Sequence, residues 1–136
     1  MWSIKTIRAV GVVVLGTMAV VLWSQAKAAE TAKDKAMLRH VVLFKFKETA
    51  SPAEIKKIEE EFLALRSKID TVADLEWGTN NSPEGLAKGY THCFLVTFAD
   101  EKGRQAYLPH AAHTAFVEIL KPQLEEVLVI DYWAKK

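Results

Sequence analysis

The 136-residue chain has one cysteine, Cys93. No intrachain disulfide can form, so stability must come from packing or from a partner subunit. Charge of one sign is also missing: 18 Lys and Arg stand against 17 Asp and Glu, a net charge of +1. Half the residues are hydrophobic and about a quarter are charged, which excludes a disordered chain and a collagen. There is no Gly-rich phosphate loop, no G-x-S-x-G, and no motif around Cys93. The His110–His113 spacing is H-x-x-H, not the H-E-x-x-H of zinc proteases, and no cysteine cluster supports it. Neither a metal nor a cofactor is expected.

The hydrophobic half is unevenly spread. Ala9 to Trp23 is fifteen uncharged residues, preceded by Lys5 and Arg8 and followed by Ala26-Lys27-Ala28. The run fits a signal h-region of roughly 7–15 residues and falls short of the ~17–25 of a spanning helix. Residues 1–28 therefore read as a cleaved secretory signal with an A-x-A site. The protein is expected in the periplasm or outside the cell, without stable membrane insertion after cleavage. An uncleaved membrane anchor is the alternative, because the uncharged run extends to Ala26. No cysteine lies near Ala28 and no Arg-Arg pair precedes the run, so neither lipidation nor the twin-arginine route is supported.

Cleavage removes Lys5, Arg8 and Lys27 and no acid, which takes the net charge from +1 to −2. No basic stripe survives, and nucleic acid is excluded as a partner. Residues 29–36 (AETAKDKA) read as a linker. Residues 37–136 form one domain of roughly 100 residues with a single modest core.

Leu38–Phe46 alternates as a strand, with His40, Val42, Phe44 and Phe46 on one face and Val41, Leu43 and Lys45 on the other. Ser51-Pro52-Ala53-Glu54 is a helix start with a capping box. Ile55, Ile58, Phe62, Leu65 and Ile69 then form one buried stripe. Val72–Trp77 is a weaker strand, and Gly78–Lys88 is dense in turn residues. In the strand Tyr90–Phe98, Tyr90, His92, Phe94, Val96 and Phe98 share a face, and Cys93 on the other reads as a small core residue. Asp100 caps a helix to about Leu108. Pro109 interrupts it, the helical pattern resumes over Ala111–Leu120, and Val127–Trp133 is the last strand.

The order β-α-β-β-α-β predicts an α+β, ferredoxin-like fold: a four-stranded antiparallel sheet with two helices on one face. Two helices cover one face only, yet three strands carry large apolar residues on both. Burying one such side chain is worth roughly 1.5–3 kcal/mol. A second copy is expected to supply the cover, giving a homodimeric α/β barrel.

Four histidines are the candidates for chemistry, because a neutral imidazole is a base poised near physiological pH. His110 and His113 lie three apart on or beside the second helix. His40 and His92 sit on strand faces shared with aromatics, a placement equally typical of a hydrogen-bonded core histidine. Tyr107 precedes His113 by six residues. Asp131 is either solvated at the sheet end or the partner that orients a histidine. Trp77 and Trp133 read as packing residues.

Five segments carry a resemblance: RHVVLFKFK (39–47), LEWGTNNSPEG (75–85), GYTHCFLVTF (89–98), Tyr107 with HAAH (110–113), and VIDYW (129–133). Together they resemble the stress-responsive dimeric A/B barrel domain family over about residues 37–133. The family's HPAH stands here as HAAH, with Ala111 in place of proline. The resemblance implies a ferredoxin-like dimer, and a stress label that comes from plant relatives. One plant member is a polyketide cyclase that closes a ring by aldol condensation without a cofactor. By that resemblance His113 is the general base and Tyr107 the hydrogen-bond donor. His40, His92, His110 and Asp131 are then substrate-binding, and Phe62 or Leu63 stands where the cyclase has another tyrosine.

Two readings follow. One is an exported dimer that binds a small hydrophobic or aromatic molecule in a His/Tyr-lined pocket beneath the second helix. The other is a cofactor-free enzyme of cyclase, isomerase or oxygenase type. A structural or interaction protein without a ligand is a third possibility on the same fold.

Overall fold

Branched and aromatic residues at period two set the strands, and three caps set the helices. A computed structural model describes residues 36–135. The signal reading (1–28), and all of the linker reading but Ala36, lie outside the described residues. The elements are β1 (Leu38–Phe46), α1 (Pro52–Lys68), β2 (Val72–Thr79), β3 (His92–Phe98), α2 (Glu101–Tyr107), α3 (Ala111–Leu120), a 3-10 turn (Lys121–Gln123) and β4 (Leu124–Trp133). The strands form one antiparallel sheet in the order β2-β3-β1-β4, the ferredoxin-like arrangement.

The helix starts follow the expected chemistry. Ser51 Oγ accepts from the Glu54 N–H at 3.3 Å, and the Glu54 carboxylate accepts from the Ser51 N–H at 2.8 Å. Asp100 caps α2 by accepting from the Gly103 N–H at 3.0 Å. Proline lacks an N–H, and the helix breaks around Pro109, so the cover consists of three helices rather than two.

The core lies between these helices and one face of the sheet. Phe62 of α1 stacks on Phe94 of β3 at 4.1 Å between ring centroids and meets Phe116 of α3 edge-on at 5.0 Å. Phe44 joins from β1, 5.2 Å from Phe94. Residues directly paired across an antiparallel ladder point to the same face. Leu38, His40, Val42 and Phe44, their β3 partners Phe98, Val96, Phe94 and His92, and Leu75 and Trp77 of β2 therefore form the helix side.

The helical cover stops at β1. On the helix side of β4, Val129 and Trp133 are 46% and 45% exposed, as open as Ile130 and Tyr132 at 49% and 45% on the other side. Among the described residues, no helix lies over the opposite face, formed by Val41, Leu43, Leu95, Leu128, Ile130 and Tyr132.

Four expectations need correction. The strands β2 and β4 are longer than their apolar runs, because ladder bonds to β3 and β1 extend through Gly78-Thr79 and Leu124–Glu126. Tyr90 is not in β3; its hydroxyl donates to the Glu126 carboxylate at 3.2 Å. Cys93 is exposed on the open face rather than a core residue. Trp77 packs as expected, stacked on Phe94 at 5.5 Å, but its outer side is open.

Phe94 is fully buried in the aromatic cluster. Phe94→Ala should lower unfolding stability by about 3–5 kcal/mol in urea titration. A loss below about 1 kcal/mol would show that this ring does not anchor the core.

Candidate functional site

His40 stands on the central strand β1, 6% exposed, with its ring 6.3 Å from Phe98 and 6.0 Å from Tyr107. Its ladder partner is Asp131 of β4, and His40 Nδ1 lies 2.9 Å from Asp131 Oδ1. A carboxylate can only accept, so Nδ1 carries the proton and Nε2 keeps the lone pair in the neutral ring. Asp131 Oδ2 is 3.3 Å from Arg104 Nη1 of α2, and Arg104 Nη2 donates to Glu101 at 3.2 Å. Asp131 thus ties the uncovered edge strand to both β1 and α2.

Tyr107, the last residue of α2, is buried to 1% against Phe98 and His40. Burial alone pushes its phenol far above the usual range, so it stays a protonated donor. The His113 ring lies 4.5 Å from the Tyr107 ring. His113 Nδ1 donates to the Leu108 carbonyl at 2.9 Å, which leaves Nε2 as the acceptor. Burial lowers the His113 pKa below its ordinary value; the Leu108 bond opposes this, and His40 and His110 add to it. His113 is therefore held as a neutral base with a fixed tautomer.

Of the residues expected at the site, the structure joins His40, Asp131, Tyr107 and His113. His110 serves the fold: its Nδ1 accepts from the Ala112 N–H at 3.1 Å and caps α3. His92 lies elsewhere, because β1 pairs His40 with Val96 and Phe44 with His92. Four residues of strand separate them, about 13 Å. His92 Nε2 meets Glu59 at 3.0 Å instead. Phe62, not Leu63, faces the sheet, so the position compared with a cyclase tyrosine is a buried phenyl ring. Sequence reasoning missed Arg104 and the Leu108 carbonyl. An arginine in a short helix and a backbone oxygen leave no periodic signal.

The structure holds a cavity of about 660 Å³, but on the open face of the sheet. Val41, Leu43, Leu95, Trp77 and Tyr90 line it with residues of the β2–β3 loop. Its lining includes His92 but not Tyr107, His113, His40 or Asp131. Among the described residues, no three His, Cys, Asp or Glu side chains converge as metal ligands would.

The stress-responsive A/B barrel domain pattern matches residues 38–134. The chain belongs to this family. It is similar to the stress-response A/B barrel domain-containing protein HS1 of Arabidopsis thaliana, 37% identical over 98 residues, covering 72% of this chain and 90% of that protein. It is also similar to olivetolic acid cyclase of Cannabis sativa, 28% identical over 99 residues, covering 73% and 98%. Among solved structures, an Arabidopsis thaliana protein superposes with a TM-score of 0.69 at 35% identity, covering 73% of this chain and 96% of that one. A dimeric ferredoxin-like protein from Bacteroides fragilis superposes with a TM-score of 0.59 at 25% identity, covering 72% and 96%. A dimeric protein of known structure thus shares the fold described above.

The lowered His113 pKa has a sign. The unfolded chain binds a proton near the ordinary histidine value of 6.5, while the folded chain resists it until lower pH. The stability tied to this group is complete above about pH 6.5 and is lost as pH falls through the folded pKa. His113→Asn, which keeps a donor for Leu108, should flatten that part of the stability–pH curve. Urea titrations from pH 5 to 8 on both proteins check it.

Proposed function

We propose that this family member is an exported homodimer that binds a small apolar carbonyl compound at the Tyr107/His113 centre and moves a proton on it without a cofactor. One observation carries the reading: the His113 Nδ1 is tied to the Leu108 carbonyl, so Nε2 is the acceptor of a ring that lies 4.5 Å from the Tyr107 ring, and burial disfavours its protonated form. In this role Nε2 takes an acidic proton next to the carbonyl. The Tyr107 hydroxyl donates a hydrogen bond to the oxygen on which enolate charge develops. His40, held by Asp131, which Arg104 also pairs, sets its ring 6.0 Å from the same tyrosine. The related cyclase supports this class of reaction. The leader reading favours a released small molecule over a coenzyme-bound chain.

The homodimer rests on the uncovered face. Val41, Leu43, Leu95, Leu128, Ile130 and Tyr132 form a continuous apolar surface of interface character. The dimeric neighbour has the same fold. Export rests on the N-terminal pattern alone, with its basic pair, fifteen-residue apolar run and A-x-A site.

Native mass spectrometry of the full chain expressed in its own host tests the assembly and the leader together. The expected species is a dimer whose subunits begin at Ala29. A folded monomer would overturn the dimer, and an intact Met1 terminus would overturn cleavage.

The chemistry is tested with ethyl benzoylacetate, an aromatic β-keto ester, by following loss of its acidic proton signal in D2O by NMR. The protein should accelerate exchange, and His113→Ala should lower the protein-dependent rate by about 10²–10⁴-fold. Equal rates for the two proteins would leave Tyr107 and His113 as a binding site only.

A further inference from the structure

The open face of the sheet is lopsided. One cross-strand row on it reads Gly78, Cys93, Leu43, Leu128 from β2 to β4. Two small residues stand at one end and two leucines at the other. A Cβ on Gly78 would meet nothing within 4 Å, and Gly78 and Cys93 both line the 660 Å³ cavity. At the opposite edge, Leu128 and Ile130 of β4 are exposed. The strand order β2-β3-β1-β4 therefore puts a hollow at one edge of the sheet and bulk at the other.

The hollow is preformed. Its outer wall is the β2–β3 loop, which is tied down along its length. The Asn80 N–H donates to the Thr91 carbonyl at 2.8 Å, and the Tyr90 N–H donates to the Ala87 carbonyl at 2.9 Å. Asn80 Oδ1 accepts from the Ser82 N–H at 3.1 Å, and the Tyr90 hydroxyl donates to Glu126 at 3.2 Å. On this wall Leu86 is 72% exposed, the most open of the large apolar side chains among the described residues. An apolar hollow is a poor site for water, and an empty one forfeits the contacts of its walls. Glu76 is the one Asp, Glu, Lys or Arg of the lining, and it is exposed on the edge strand β2.

We infer that, in the homodimer proposed above and on which this register depends, the cavity is a socket for a second copy of the chain: the partner subunit's Leu128 enters the hollow over Gly78, and the partner subunit's Leu43 covers Cys93. Symmetry carries the assignment. A two-fold axis makes an interface self-complementary, so whatever patch A does to patch B is done in return. Sheets that pack face to face in the aligned mode keep their strands nearly parallel. An axis between them, running along the strands, turns each row onto itself in reverse. Small then meets large at both ends of the Gly78–Leu128 row, and both hollows fill at once. Laying β4 on the partner's β4 would leave both empty. The row two residues away, Asp74, Thr97, Arg39 and Tyr132, is polar throughout and reverses as polar on polar, with Asp74 opposite a tyrosine hydroxyl. Leu86 closes over the incoming strand as a lip. The cavity is then subunit interface, and Tyr107 and His113 stay on the helix side.

The test is a size swap, read as the dimer Kd by sedimentation velocity on protein expressed as the full chain in its own host. Gly78→Leu has room within one subunit but fills the socket. It should raise the Kd about 10-fold or more. Adding Leu128→Ala, which removes the bulk that would collide, should bring the Kd back to within about threefold of wild type. Leu128→Ala alone should weaken the dimer, so the two effects oppose rather than add. Far-UV circular dichroism checks the fold of each variant, and if Gly78→Leu does not fold, Cys93→Leu fills the same hollow from β3. A dimeric wild type with an unchanged Kd in the filled variant, or a double variant no tighter than the filled one, would overturn the socket and leave the homodimer standing. A folded wild-type monomer at micromolar concentration would overturn the homodimer itself, and the socket with it.

Discussion

The three helices among the described residues do not cover all of the four-stranded sheet, and the rest of the domain follows from that shortfall. The cover spans β2, β3 and β1 on one side and ends there, so the core is the aromatic cluster around Phe62 and Phe94. β4 is left open on both sides although its ladder to β1 is continuous from Leu38 to Lys45. An edge strand rich in Val, Leu and Ile is a liability in water, because unpaired backbone groups and apolar side chains invite association. The apolar face proposed as the dimer surface and the cavity beside the β2–β3 loop both belong to this uncovered side.

The same boundary sets the chemistry of the histidines. His40 is buried, but its partner Asp131 lies just beyond the helical cover, where the carboxylate is partly solvated and within reach of Arg104. A buried carboxylate would demand full pairing; at this edge, one histidine and one arginine suffice. His113 sits half-buried at the rim, sheltered enough for burial to weigh against its protonated form. His92 lies deeper at the far end of β3, with Glu59 above it and Thr91 below.

Much of this was legible in the sequence, for identifiable reasons. The alternation in Leu38–Phe46 and Tyr90–Phe98 sorted the residues into the two faces that the sheet shows, because a strand has only two, but it did not say which face the helices cover. The Ser51–Glu54 capping box marked the start of α1 to the residue. The surplus of apolar residues on both faces of β1 and β4 predicted an uncovered side. What could not be read was distance along a shared face. His40 and His92 have the same period and the same aromatic company, yet four residues of register put them in different clusters. Cys93 looked like a core residue because its neighbours are apolar, while its own face is the uncovered one. Arg104 and Glu59 act through side-chain reach across elements, which one-dimensional spacing does not encode.

The helix break at Pro109 shows how sequence, fold and site meet in one place. In a continuous helix the Leu108 carbonyl would accept from the Ala112 N–H, four residues on. The break separates them, and each orphaned group needs a new partner. His110 Nδ1 takes the Ala112 N–H, and His113 Nδ1 supplies the donor for the Leu108 carbonyl. The two histidines thus replace one backbone bond with two side-chain bonds, and the exchange fixes their tautomers in opposite senses. His110 accepts at Nδ1 and is spent on the cap. His113 donates at Nδ1 and keeps Nε2 as an acceptor, in a ring 4.5 Å from that of Tyr107. Satisfying a broken helix is thus the same event that fixes the orientation of both histidines of the H-x-x-H segment.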